Sequence, residues 1–251
     1  MPCPTYPRYL RIAGDLRGRI LDGDIPPGAR VPTETQLMAE CGVSRTVAKY
    51  AIGVLKDEGL VEGRRGSGVY VRKIRRLTRE SHGREMRVQP GPTSPFARDA
   101  ARAGTHGSWE HTSEHAVASF DVARRLAIEP GDPVMRTRYR FLAEGAPIQM
   151  STSWEPLALT GGTPVEWPEE GAAVGVVSRF DVIGIRIDEC VERVTARSAH
   201  PVEIEALDLS LRGAYLLVIE RTYLVAGRPA ETADIVFPGD RYELMYRYPI
   251  D

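Results

Sequence analysis

Apolar residues recur at helical spacing over 8–22 (RYLRIAGDLRGRILD), where Leu10, Ala13, Leu16, Ile20 and Leu21 share a face and arginines hold the other. Gly23 ends that pattern, and Pro26-Pro27-Gly28 forces a turn. Thr33 followed by Gln36 has capping-box spacing and opens a short helix that Gly42 breaks. Ser44 is the next N-cap. Val47, Ala48, Ala51, Ile52 and Leu55 give the following helix its apolar face, and Gly59 closes it. Residues 60–72 (LVEGRRGSGVYVR) read as two short strands around a glycine-rich tip, a hairpin.

From residue 73 the period is lost. Charges mix with Pro90, Pro92, Pro95, Gly and Ser, which predicts a linker over 76–94 and a short helix near 96–104. From about 115 the pattern turns to strands at 115–122, 134–143, 148–156, 185–199, 215–226, 231–239 and 242–250. Helical patterns interrupt it at 121–127, about 173–180 and 201–208. Two turns, AEGAP at 143–147 and VAGRP at 225–229, precede similar strands and hint at a repeated strand–turn–strand unit. The expected fold class is α+β: a helical N-terminal domain over 1–75, and a mostly antiparallel sheet domain over 95–251.

Charge sharpens that division. The chain of 251 residues has a net charge of -1, but residues 1–79 carry 15 Lys+Arg against 8 Asp+Glu. A basic N-terminal part joined to an acidic remainder points to a polyanion partner for the first part only. No apolar run approaches the ~20 residues needed to span a bilayer, and Arg interrupts the N-terminus where a signal peptide needs its apolar stretch. The chain reads as cytoplasmic, with no membrane partner. Cys3, Cys41 and Cys190 form no CxxC, so neither a disulfide framework nor a zinc site is expected.

Helix, turn, two helices joined at a glycine, then a hairpin is the order of a winged helix-turn-helix. The second helix of the pair enters the major groove of double-stranded DNA with its N-terminal side chains at base edges, here Ser44, Arg45, Thr46 and Lys49. Arg45 can bridge O6 and N7 of guanine, a contact worth ~1–3 kcal/mol of discrimination. Ser44, Thr46 and Lys49 can fix register on phosphates, and Ser44 can also serve as the cap. Arg64, Arg65, Gly66 and Ser67 at the hairpin tip would set two cations and a thin backbone against the adjacent minor groove. One such helix reads few base pairs, so a homodimer on a pseudo-palindrome is expected.

These residues carry a family resemblance. The run from Tyr9 to Val71 resembles the DNA-binding domain of the GntR family of bacterial repressors through GDIPPGARVPTE at 23–34, GVSRTV at 42–47, VLKDEGLV at 54–61 and GSGVYV at 66–71. The resemblance implies that Thr35, Arg45, Thr46, Lys49 and Gly66 lie at the DNA; several relatives carry Arg where this chain has Thr35. Residues from about 95 to 248 resemble the UTRA effector-binding domain of the HutC branch. The matching stretches are RYRFLAEGAPI at 138–148, STSWEP at 151–156 and RPAETADIVFPGDRY at 228–242. That implies a chorismate-lyase-like antiparallel sheet and a small-molecule effector site without catalysis or cofactor. By the resemblance Glu231 is a hydrogen-bonding group for the effector, and Phe237 stands where sugar-phosphate-binding relatives often have Tyr.

Independently, Arg136, Arg138 and Arg140 alternate along one strand and share a face. Like charges so placed repel unless an anionic ligand or carboxylates compensate them, or water solvates them on an outer face. Arg138 and Arg140 are therefore effector candidates, with Ser151, Ser153 and Arg179 beside them. His106, His111 and His115, with Glu110 and Glu114, match no metal-ligand spacing and read as loop; no metal site is expected. No GxSxG, phosphate-binding loop or acid/base set supports an enzyme. Two alternatives stand beside the effector-controlled repressor: an enzyme that kept a lyase-like domain, and a constitutive DNA-binding protein whose C-terminal domain only dimerises.

Overall fold

The computed structural model describes residues 6–73, 76–81, 94–171, 173–209, 214–248 and 250. The chain divides into an N-terminal unit reaching Arg75 and a C-terminal unit from Arg76 onward, apart from 209–214.

The N-terminal unit has helices α1 (Arg8–Leu21), α2 (Glu34–Cys41) and α3 (Arg45–Asp57), then strands β1 (Val61–Arg64) and β2 (Gly68–Val71). Its caps follow the sequence pattern. The Thr33 hydroxyl accepts from the Gln36 amide while the Gln36 side chain accepts from the Thr33 amide, closing the capping box on α2. Ser44 caps α3 by accepting from the Val47 amide at 3.5 Å. Ala13 and Leu16 of α1 meet Ala48, Ala51 and Leu55 of α3 in one apolar core that also takes in Val61 and Val71 of the hairpin. The alanines let the helices approach closely, and the opposite side of α1 exposes Arg8, Arg11 and Asp15.

In the C-terminal unit a six-stranded antiparallel sheet runs β4-β5-β6-β9-β8-β7, with β4 Gly107–Val117, β5 Pro133–Ala143, β6 Ala146–Pro156, β7 Glu189–Ser198, β8 Tyr215–Val225 and β9 Arg228–Pro238. Its halves repeat. β8 begins 82 residues after β5 (Pro133 to Tyr215), and β9 begins 82 residues after β6 (Ala146 to Arg228). β7 likewise begins 82 residues after β4 (Gly107 to Glu189). Helix α5 (Phe120–Leu126) sits between β4 and β5 as α8 (Pro201–Ala206) sits between β7 and β8. Both hairpins turn through a left-handed pair, Glu144-Gly145 and Ala226-Gly227, and both carry a bulge just after it, at Ile148 opposite Phe141/Leu142 and at Ala230 opposite Tyr223/Leu224. The repeat hinted at by the two turns thus extends to a whole β-α-β-β unit, and the halves join at β6-β9.

Two expectations fail here. Strand β4 runs from Gly107 to Val117, and its part 107–114 lies in the segment read as loop, so His111 stands on a strand. Leu77–Glu80, inside the segment read as linker, forms β3 and pairs in parallel with β10 (Tyr242–Met245). The rest of that segment, 82–93, lies outside the described residues.

Candidate functional sites

In the N-terminal unit, Arg45, Thr46 and Lys49 project from the first turns of α3. With Glu34 and Tyr50 they line a shallow depression. Arg45 is 81% exposed, and its Nε donates to Glu34 at 2.9 Å. A pair this exposed contributes roughly 0–1 kcal/mol, so the guanidinium can exchange it for a guanine edge at small cost. Thr35, Ser44, Arg64, Arg65, Gly66 and Ser67 are all exposed. At the hairpin tip Gly66 takes φ +73°, which allows the tight turn. Arg64 lies over the Tyr70 ring at 4.5 Å, and Ser67 Oγ meets Tyr70 Oη at 2.6 Å. Tyr70 thus stiffens the tip, a role sequence reasoning missed.

In the C-terminal unit, strand register decides which candidates can share a site. One row across the sheet reads Ser113, Thr137, Ser153, Ala233, Arg221, Glu192. Side chains alternate, so Tyr139, Ser151, Glu155, Glu231 and Phe237 share this inner face. Arg136, Arg138 and Arg140 point to the other side. There the glutamates of β4 neutralise them: Glu114 accepts from Arg136 at 2.7 Å and lies 2.9 Å from Arg138, and Glu110 accepts from Arg140 at 3.3 Å. The Arg136 hydrogen bond holds the Glu114 carboxyl below the usual carboxylate range. Arg140 also donates to the Ala206 carbonyl of α8. Carboxylates already compensate the arginine row, and the sheet separates Arg138 and Arg140 from Glu231. The grouping of these three around one ligand is therefore corrected.

The inner face has a polar layer of its own. Glu231, 0% exposed, accepts from Arg221 at 3.0 Å. Glu155, 1% exposed, holds Arg179 from α7 (Val176–Val182) through two hydrogen bonds, and Arg79 of β3 binds Glu192. Burial works against the Arg179 charge, but Glu155 outweighs it and raises the guanidinium pKa. Three Arg–Glu pairs in one layer are a costly filling for a core, because apolar residues of the same size serve stability as well or better. Thr137 and Ser153 are buried between the pairs. Phe237 is on the same face but outside this layer. It is fully buried with Ile219, Ile235 and Leu77 and stacks on Tyr242 at 4.4 Å.

Of the sequence candidates, Ser151, Ser153, Arg179 and Glu231 come together at the inner face, beside Thr137, Tyr139, Glu155 and Arg221, which the sequence did not single out. The signal was available in RTRYR at 136–140, where the residues between the arginines are those of the inner face. His115 binds Glu166 at 2.7 Å and stacks on Trp167. Among the described residues no helix is long and apolar enough to cross a membrane.

Comparison with known proteins agrees with both units. Residues 8–71 match the bacterial regulatory proteins of the gntR family, and residues 105–243 match the UTRA domain. A crystal structure described as a GntR-family transcriptional regulator is 46% identical, with 98% of this chain and 99% of that one covered and a TM-score of 0.72. The transcriptional repressor NagR of Bacillus subtilis is 28% identical over 96% of this chain and 94% of its own. The histidine utilization repressor of Pseudomonas putida is 25% identical over 96% and 92%. These relatives are regulators and not enzymes, which removes the lyase alternative. The chain belongs to the gntR family of bacterial regulatory proteins, in the HutC-like group that joins the DNA-binding domain to a UTRA domain, and it is a DNA-binding transcriptional regulator with an effector-binding C-terminal domain.

Proposed function

We propose that the chain acts in the cytoplasm as a homodimeric repressor. It reads a pseudo-palindromic operator through Arg45, Thr46 and Lys49, with Thr35, Ser44 and the tip residues Arg64 to Ser67 on the backbone and minor groove. An effector on the inner face of the UTRA sheet, against Glu231, Arg221, Ser153 and Thr137, sets its operator affinity. The observation that carries this reading is the buried polar layer of the inner face, a place where charge is maintained at a cost to stability. Coupling between the sites is reciprocal: the factor by which effector changes operator affinity is the factor by which operator changes effector affinity, typically ~5–150-fold.

The test is operator binding by the full-length chain, followed by a screen of metabolites for release. Arg45→Ala should weaken operator binding by ~1–3 kcal/mol and relax specificity at one base position per half-site. A variant that binds the wild-type operator unchanged would misplace the recognition helix. Sedimentation should show a dimer at micromolar concentration. A chain that no metabolite releases would support the constitutive alternative.

A further inference from the structure

We infer that the inner face takes a small molecule through its carboxylate, and that Glu169 of this chain occupies the carboxylate position when no such molecule is bound. The inference rests on reading the inner face as the effector site. Residues 161–171 come after β6 and the short helix Leu157–Thr160 and cross the inner face of β4 and β5, where side chains of the sheet and of α7 hold them. Arg179 donates to the Val165 carbonyl, His115 binds Glu166, and Trp109 and Tyr139 converge on Glu169. The indole Nε1 of Trp109 donates to Glu169 Oε2 at 3.0 Å, and the Tyr139 hydroxyl donates to Oε1 at 3.1 Å. Burial, followed by the Glu169 charge, pushes the Tyr139 phenol well above its ordinary value, so it remains a neutral donor.

Two donors on neighbouring strands that take one oxygen each of the same carboxylate form a built receptor. The residue that fills it does so under strain. Glu169 sits at φ +69°, in the left-handed region that a side chain other than Gly, Asn or Asp adopts at a cost. A strained backbone that delivers a charged side chain into a two-donor site is a contact the loop can give up. A tethered carboxylate competes as an effective concentration, so a free ligand must exceed it and is admitted only when it brings further contacts.

The donor set also selects the class. Two neutral donors suit a monoanion. At Tyr139 the Arg179 cation, which lowers the phenol, acts more strongly than Glu155, which raises it, so this ion pair leaves only a small net positive field, enough to favour one negative charge. Arg179 feels the Glu169 charge but directs its own hydrogen bonds to Glu155 and Val165. The Tyr139 ring stacks on Phe141 at 5.5 Å, giving the organic part of a carboxylate a flat apolar wall.

The experiment uses the full chain with 15N-labelled indoles and follows the Trp109 resonance, assigned with Trp109→Phe. Acetate is the probe and inorganic phosphate the control, at matched ionic strength. In Glu169→Gly, which also relieves the positive φ, the Trp109 signal should leave its wild-type position. Acetate should return it along a saturable curve, and phosphate should not. Adding Tyr139→Phe to that variant should weaken the acetate response several-fold, and wild type should not respond over the same range. Should the glycine variant fail to fold, Glu169→Asp shortens the arm and should show the same recovery. No saturable response, an equal response to phosphate, or an equal response of wild type would each overturn the proposal. A wild-type chain released from operator by metabolites, with a Glu169→Gly variant indifferent to acetate, retains the effector reading and loses this one. Acetate binding without any releasing metabolite does the reverse.

Discussion

The two halves of the UTRA sheet share one backbone plan and fill four equivalent inner-face positions with opposite chemistry. Positions 82 residues apart pair Thr137 with Ile219, Ser151 with Ala233, Ser153 with Ile235 and Glu155 with Phe237. In the second half these inner-face positions are apolar, and β3, β10 and α4 (Pro95–Arg102) cover them through Leu77, Tyr242 and Phe96. In the first half they are polar and lie beneath residues 161–171 and Arg179. Each cover begins shortly after its half's second hairpin strand: residues 161–171 after β6 and the short helix Leu157–Thr160, and β10 after β9. A duplicated sheet needs only some of its inner-face positions as core. The others can hold groups that a ligand, rather than the fold, requires.

This contrast can be broken most directly at its extreme pair. Phe237→Ala should cost about 3–5 kcal/mol, as expected for a large ring removed from a packed core. Glu155→Ala should cost a similar amount, about 3–5 kcal/mol, for a different reason: it strands the Arg179 charge in the interior. Urea unfolding measures both losses. Glu155→Ala with Arg179→Leu should recover much of the stability, and no second substitution of that kind exists for Phe237. If Glu155→Ala alone is neutral, the polar half is wetter than its burial indicates.

The next pair sharpens the comparison. Ile235→Val should lose about 0.5–1.5 kcal/mol. Ser153→Ala, at the equivalent position, should lose less in stability and show its effect in ligand response. The smallest effect belongs outside the sheet. Arg138→Ala removes an exposed ion pair with Glu114 and should change stability by roughly 0–1 kcal/mol, with operator release unaltered. A lost response there would return the ligand to the outer face.

The N-terminal unit was legible almost residue by residue because its signals are local: Thr33 and Gln36 are three apart, Ser44 caps its own helix, and Gly66 makes its own turn. The C-terminal unit was legible where turns repeat and opaque where partners are distant. β4 escaped because it is an edge strand with polar residues on both faces, Glu110 and Glu114 outward and His111, Ser113 and His115 inward, so no apolar alternation marks it. β3 escaped because its parallel partner, β10, lies at the far end of the chain. The arginine row suggested an anion site because charge is visible in a sequence and its cross-strand compensation by Glu110 and Glu114 is not. Glu231 and Arg179 were singled out from the sequence, but their partners Arg221 and Glu155 become apparent only once the register is known.

The central claim is that operator is read by the N-terminal unit and effector is held by the buried polar layer of the sheet's inner face. The most direct measurement is release of the full-length chain from operator as a function of the metabolite that the screen returns, for wild type, Glu231→Gln and Arg138→Ala. Glu231→Gln keeps the shape of the side chain and removes the charge that answers Arg221. It should bind operator within about twofold of wild type, and its release curve should move by tenfold or more, a change of about 1.4 kcal/mol in ligand binding. Arg138→Ala should follow the wild-type curve. The account is contradicted if Glu231→Gln releases like wild type while Arg138→Ala does not, or if Glu231→Gln folds normally and fails to bind operator.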